Sequence, residues 1–214
     1  MNLTHHYWYF QSVIPPRICD MIIQYGKSEK KKEVIAITGN QGRNRNLDKN
    51  PLTKDEIKDL KKKRDSNVVW MSDPWIYKEI HPYVYRANAN SGWNFDWDWS
   101  EACQFTKYKK GQYYDWHFDG WDKTYTEKGP TKGKIRKLSM TVTLSDPKTY
   151  KGGELEFDLR KNDPDKESQP IVCKEILPKG SVVVFPSFVW HRVKPVTKGV
   201  RYSLVVWHLG FPFK

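Results

Sequence analysis

From residue 95 onward the chain breaks into short runs of alternating residues, each closed off by Gly, Pro or Asp. Phe95-Asp-Trp-Asp-Trp99 alternates, residues 103–108 continue the pattern, and Leu138-Ser-Met-Thr-Val-Thr-Leu144 carries it over seven positions. Similar runs follow at 154–157, 171–176, 181–185 and 202–207. A period of two puts alternate side chains on opposite faces of a strand, so these segments predict many short strands joined by tight turns. The first part of the chain reads differently. Strands are predicted at 7–13 and 34–38, but Pro15-Pro16 opens a helix to about residue 25 with Cys19, Ile22 and Ile23 as its buried stripe. Thr53-x-x-Glu56 has the capping-box form for a second, charged helix whose Lys61-Lys-Lys-Arg64 end reads as exposed surface. Asp73-Pro74 opens a third, with Trp75, Ile76, Ile80, Val84 and Ala87 at helical spacing. The expectation is a mainly β, α+β chain with a jelly-roll core and helices packed outside.

A length of 214 residues fits one domain, with 1–94 as a helix-rich support region and 95–214 as the β core. Ten Trp, twelve Tyr and nine Phe make a disordered chain untenable despite 29% charged residues. No apolar run is long enough to span a membrane, and the first residues lack the basic-then-apolar order of a signal peptide. The expectation is a cytoplasmic protein. Cys19, Cys103 and Cys173 are widely spaced and read as buried thiols rather than a disulfide framework or zinc site.

Formal charge is +12, concentrated at 27–64 (thirteen basic against six acidic) and 107–137 (nine against four). Such excess attracts nucleic acid or acidic partners, but no aromatics interleave with the lysine runs to stack bases. A solvated surface is the favoured reading over a nucleic-acid partner. Oligomeric state is not legible from the sequence.

Chemistry concentrates in Tyr108-x-x-Gly111-x-x-Tyr114-x-x-His117-x-Asp119. In an extended strand His117 and Asp119 share a face, and Asp115 joins them by the same parity. Two such ligands hold a divalent ion poorly. His191, 74 residues on, is the candidate third ligand, and two His with one carboxylate form the facial triad that leaves coordination positions open. Arg201, ten residues beyond His191, offers a permanently charged fork for a carboxylate beside the metal. His81 reads as structural, and His5, His6 and His208 have no assignable partners.

These motifs, with Tyr150-x-Gly152-Gly153-Glu154-Leu155, Pro178-x-Gly180 and Arg201-x-Ser203, resemble Fe(II)- and 2-oxoglutarate-dependent dioxygenases, specifically the prolyl-hydroxylase-like, PKHD-type branch. The resemblance covers roughly residues 95–210 and implies a double-stranded β-helix. It implies Fe(II) on His117, Asp119 and His191, 2-oxoglutarate and dioxygen as co-substrates, and ascorbate as an optional addition. It places the distal carboxylate of 2-oxoglutarate on Arg201, with Thr143 aligned to a hydroxyl position and Tyr108 and Ser203 as further candidates. Asp115 would orient a ligand. Trp121 and Tyr125, in the long loop 120–134 that follows the ligands, would cover the substrate, with Trp207 nearby. The implied reaction is hydroxylation of a prolyl residue in a peptide or protein, releasing succinate and CO2. Rival readings are hydroxylation of a free amino acid or small metabolite, oxidative demethylation of nucleic acid, a cupin-like isomerase with another metal, and a jelly-roll binding protein without catalysis.

Overall fold

The computed structural model describes residues 3–28, 31–38, 50–120, 123–159 and 170–213. Trp121 and nearly all of the loop read at 39–50 lie outside them. The chain opens with β1 (Trp8–Phe10), α1 (Pro16–Gly26), β2 (Val34–Ile35), α2 (Lys54–Lys63), β3 (Arg64–Asp65), β4 (Asn67–Met71) and α3 (Pro74–Asn90). Then come β5 (Trp99–Ser100), β6 (Cys103–Tyr108), β7 (Tyr113–His117), β8 (Ile135–Thr143), β9 (Lys151–Gly152) and β10 (Leu155–Asp158). The last strands are β11 (Ile171–Val172), β12 (Val182–Pro186), β13 (Trp190–Val193), β14 (Val196–Lys198) and β15 (Arg201–Gly210).

Two antiparallel sheets form the sandwich. The larger runs β1-β12-β8-β15-β6-β4-β2, with β5 also on β15, and the smaller runs β11-β10-β13-β7-β3. Strands from before residue 94 therefore extend both sheets. The Pro at the start of α1 and of α3 presets the first helical φ, and the Thr53–Glu56 box caps α2 as the sequence predicts. Buried Ile18, Cys19 and Ile22 of α1 and Ile76, Ile80, Val84 and Ala87 of α3 join one core with Leu138, Met140, Val142, Leu204 and Val206 of the larger sheet. A second core, with Leu155, Phe157, Val183 and Phe185, lies between the sheets.

Period two explains how one strand serves both. In β8 the even positions enter the helix-side core, while Ser139, Thr141 and Thr143 are buried on the other face. In β15, Leu204 and Val206 go to the helices, and the odd positions Arg201, Ser203, Val205 and Trp207 line the cavity between the sheets.

Four predicted strands are shorter than their sequence pattern, and the one predicted at 34–38 keeps only Val34–Ile35. β1 stops at Phe10 because Ser12 turns left-handed (φ 50°) and its amide bonds Ser181 Oγ at 3.1 Å instead of a ladder partner. Residues 95–98 stay out of the sheet. The Asn88 side chain takes both main-chain groups of Phe95, at 2.9 and 3.0 Å, leaving only Trp99–Ser100 to pair with β15. The run 171–176 is a two-residue strand followed by a 3-10 turn at Lys174–Ile176.

Candidate active site

β7 and β13 pair with His117 opposite His191. Each imidazole donates its Nδ1 proton to a main-chain carbonyl, His117 to Asp115 at 2.7 Å and His191 to Val189 at 2.9 Å. Both Nε2 lone pairs are thereby directed at the space next to Asp119. Asp119 Oδ1 lies 3.7 Å from His117 Nε2, and Oδ2 lies 3.5 Å from His191 Nε2. One ligand atom from each residue falls within 4.8 Å of the others, and among the described residues this is the cluster suited to a metal ion.

The parity argument for His117 and Asp119 needs correction. β7 ends at His117, so Asp119 is brought inward by a bend. The amides of Asp119 and Gly120 both donate to the Ser187 carbonyl at 2.8 Å, and Ser139 Oγ donates to Asp119 Oδ2 at 2.8 Å. For Asp115 it is the main-chain carbonyl, not the carboxylate, that meets His117.

Protonation states suit a cation. Burial, reinforced by the neighbouring His191, holds the His117 imidazole well below its ordinary range, which keeps it neutral. Burial would raise the Asp119 carboxyl, but the charge that the rings of His191 and His117 carry whenever they are protonated, together with Arg136, outweighs it and brings it down to about 2. The Trp207 indole N–H adds to that pull, although it is buried without a hydrogen-bond partner of good geometry. Two imidazole nitrogens and one carboxylate on one side of a small space match what a ferrous ion takes while keeping open positions.

Arg201 is 2% exposed and stands opposite Tyr108 in the β15–β6 register. Its guanidinium lies 5.7 Å from the Tyr108 ring, and its NH1 donates to Ser203 Oγ at 3.2 Å. Gly153 makes room for it, since a Cβ there would fall 2.8 Å from Arg201 Cδ. Arg201, Tyr108, Ser203 and the triad line one inner cavity; Thr141 lines it from β8, whereas Thr143, the position singled out in the sequence, is not part of that lining. Residue 121 is not described. Tyr125 lines the outer groove and donates to Glu101 Oε1 at 2.7 Å. Glu101 also holds Arg136 through two bonds, at 2.8 and 2.6 Å, and Arg136 lies 3.8 Å over the Trp207 ring. Trp207 forms part of the wall of both the inner cavity and the outer groove.

Sequence reasoning missed Ser139, Thr141, Gln104, Arg136 and Arg64. Ser139 and Thr141 were visible as polar positions in phase with Thr143. Arg64 was hidden inside a lysine run, yet it is 3% exposed and lines the inner cavity.

Residues 103–209 match the sequence model of the 2OG-Fe(II) oxygenase superfamily. The chain belongs to that superfamily. Its members work with Fe(II), 2-oxoglutarate and dioxygen, and the donor set just described fits that metal. The chain is similar to the PKHD-type hydroxylase YbiX of Escherichia coli O157:H7, at 38% identity over 104 residues, 48% of this chain and 40% of that protein. The same figures hold for YbiX of Shigella boydii serotype 18. The matched stretch thus spans well under half of these curated relatives. Among solved structures, the viral collagen prolyl hydroxylase vCPH of Paramecium Bursaria Chlorella virus-1 superposes with a TM-score of 0.61 at 19% identity, covering 97% of each chain. A Pseudomonas putida prolyl-4-hydroxylase gives 0.60 at 18%, covering 96% of this chain and 92% of that one. A Trichoplax adhaerens prolyl hydroxylase, solved with a hypoxia inducible factor peptide fragment, gives 0.61 at 15%, covering 96% and 84%. The shared architecture is the jelly roll. Among the described residues no helix is long and apolar enough to cross a membrane.

Proposed function

We propose that the chain is an Fe(II)- and 2-oxoglutarate-dependent hydroxylase that acts on a prolyl residue in a peptide or protein, with succinate and CO2 as co-products. His117, Asp119 and His191 would hold the iron, and Arg201 with Ser203 and Tyr108 the distal carboxylate of 2-oxoglutarate. Bound Fe(II) with 2-oxoglutarate supplies the activation of dioxygen and the hydroxylation of an unreactive C–H bond.

The observation that carries this reading is the junction of two spaces at the triad. The inner cavity, about 30 Å³, presents Arg201 and Ser203 as donors for a carboxylate; His117 and Asp119 also line an outer groove of about 710 Å³. That groove has Trp70, Phe118 and Trp190 at its exposed rim, an apolar bed for an extended chain. Trp207 and Tyr114 would keep water from the iron side. The three solved relatives named above are described as prolyl hydroxylases, which supports proline as the target. We take residues 1–214 as one working unit, because strands on both sides of residue 94 build each sheet.

The test is to incubate the iron-loaded protein and 2-oxoglutarate with proline-containing peptides, free amino acids and methylated oligonucleotides, and to read masses. A gain of one oxygen on a prolyl residue is expected. Hydroxylation of free proline with no peptide modified, or demethylation of the oligonucleotides, would replace this reading.

A further inference from the structure

Among the described residues, three arginines line the spaces around the triad. Arg136 is neutralised by the two-point contact with Glu101. Arg201 faces the inner cavity with, among the described residues, only the Ser203 hydroxyl as its hydrogen-bond partner, and is left for the co-substrate. Arg64 stands apart. Its Nε donates to Ser66 Oγ at 2.9 Å, its guanidinium lies 4.5 Å over the Tyr114 ring, and its NH2 nitrogen is buried with no hydrogen-bond partner among the described residues. Tyr114 in turn stacks on His117 with ring centroids 3.5 Å apart. A buried guanidinium is costly unless an anion or hydrogen-bond acceptor meets it.

The charges show what is missing. Bound Fe(II), the Asp119 carboxylate, doubly ionised 2-oxoglutarate and Arg201 would sum to zero; of the remaining cations lining the groove, Lys63 is exposed to solvent and Arg64 is buried, so Arg64 would be left without a counter-charge. Its position favours the substrate side. Arg201 lines only the inner cavity, whereas Arg64 lines both that cavity and the outer groove. No carboxylate of 2-oxoglutarate remains for it, since one would bind the metal and the other Arg201.

We propose that Arg64 is a specificity-determining residue that receives a carboxylate of the primary substrate, placed within a residue of the hydroxylated carbon. This rests on the hydroxylase reading above and narrows it. The substrate is a prolyl peptide bearing an anion at the target, either an acidic neighbouring side chain or the chain's own terminal carboxylate. The strand β3 fixes Arg64 for the task, because its pairing sets Arg64 opposite Tyr114 on the ligand strand.

The experiment uses protein labelled with 15N-arginine and loaded with Zn(II) and 2-oxoglutarate, which does not turn over. The Arg64 Nε–H signal, protected by Ser66, is identified by its loss in Arg64→Lys. Two probe pairs are titrated: N-acetylproline against its amide, and acetyl-Pro-Asp-amide against acetyl-Pro-Asn-amide. In at least one pair the carboxylate is expected to shift the Arg64 signal and to bind about tenfold or more tighter than its neutral twin. The pair that responds identifies the source of the carboxylate. In Arg64→Gln the preference should fall below about twofold while 2-oxoglutarate affinity is unchanged. If 2-oxoglutarate binds normally but neither carboxylate moves the signal, the proposal is overturned. It is also overturned if Arg64→Gln weakens 2-oxoglutarate instead, which would make Arg64 part of the co-substrate pocket. Failure of 2-oxoglutarate to bind the metal-loaded wild type would bring down the hydroxylase reading itself.

Discussion

The face of β8 that meets the helices carries Leu138, Met140 and Val142, while the face turned toward the smaller sheet carries Ser139, Thr141 and Thr143. β6 and β15 divide in the same way, with Phe105, Leu204 and Val206 on one side and Gln104, Thr106, Arg201 and Ser203 on the other. All of these residues are buried. Burial therefore does not separate the face that holds the molecule together from the face that does chemistry. What separates them is whether the side chains are satisfied by packing alone or arrive with hydrogen-bonding capacity that is used around the triad.

The sharpest break between the faces should come from the proposed metal ligands. His191→Ala should reduce iron-dependent succinate formation to background while the thermal midpoint stays close to wild type, read by coupled succinate assay and calorimetry. A large fall in midpoint would place His191 among the structural residues instead. Next in size is Met140→Ala on the helix side. It should cost about 2–5 kcal/mol in urea unfolding through the cavity it leaves, with 2-oxoglutarate affinity untouched. Its immediate neighbour Ser139→Ala should do the reverse. Loss of the bond to Asp119 should lower metal affinity about 10–100-fold with little change in stability, measured by competitive chelation.

A smaller effect is expected at Arg201. Arg201→Lys keeps the charge but not the fork, and should weaken 2-oxoglutarate at least about tenfold under anaerobic Fe(II) without loss of iron. Equal affinity would assign the distal carboxylate to another side chain.

The smallest effect is acid sensitivity on the helix side. Burial pushes His208 down to about 3, and it lowers His81 as well. The unfolded chain then binds protons that the folded chain refuses, so stability is complete above about pH 6.5 and falls as pH drops below it. Between those two values the buried His208 contributes a slope of about 1.4 kcal/mol per pH unit. His208→Gln should remove one proton's worth of slope between about pH 6 and 4, measured by urea midpoints. An unchanged slope would show that His208 is not part of the acid response.

How much of this was legible depended on whether the signal was local. The alternating strands could be read from period two, and His117, Asp119, His191 and Arg201 stood out by residue type and spacing. Asp119 was found for an incomplete reason, since strand parity suggested it but a turn held by Ser187 delivers it. Ser12 and Asn88 shortened two strands through contacts 169 and seven residues away, which no alternation reveals. Arg64 was read as solvated because its neighbours are lysines; only the pairing of β3 with β7 turns it inward. His208 gained a partner in Ser100, at 2.9 Å, that lies 108 residues upstream.

The Ser187 carbonyl has a further consequence. It receives two amides from the Asp119 bend, and its residue sits in the turn that leads into β13 and His191. One peptide unit thus ties the last two ligands together before any ion arrives. Capture of iron should then need almost no ordering of the chain, and its on-rate should be set by how fast the ion sheds water.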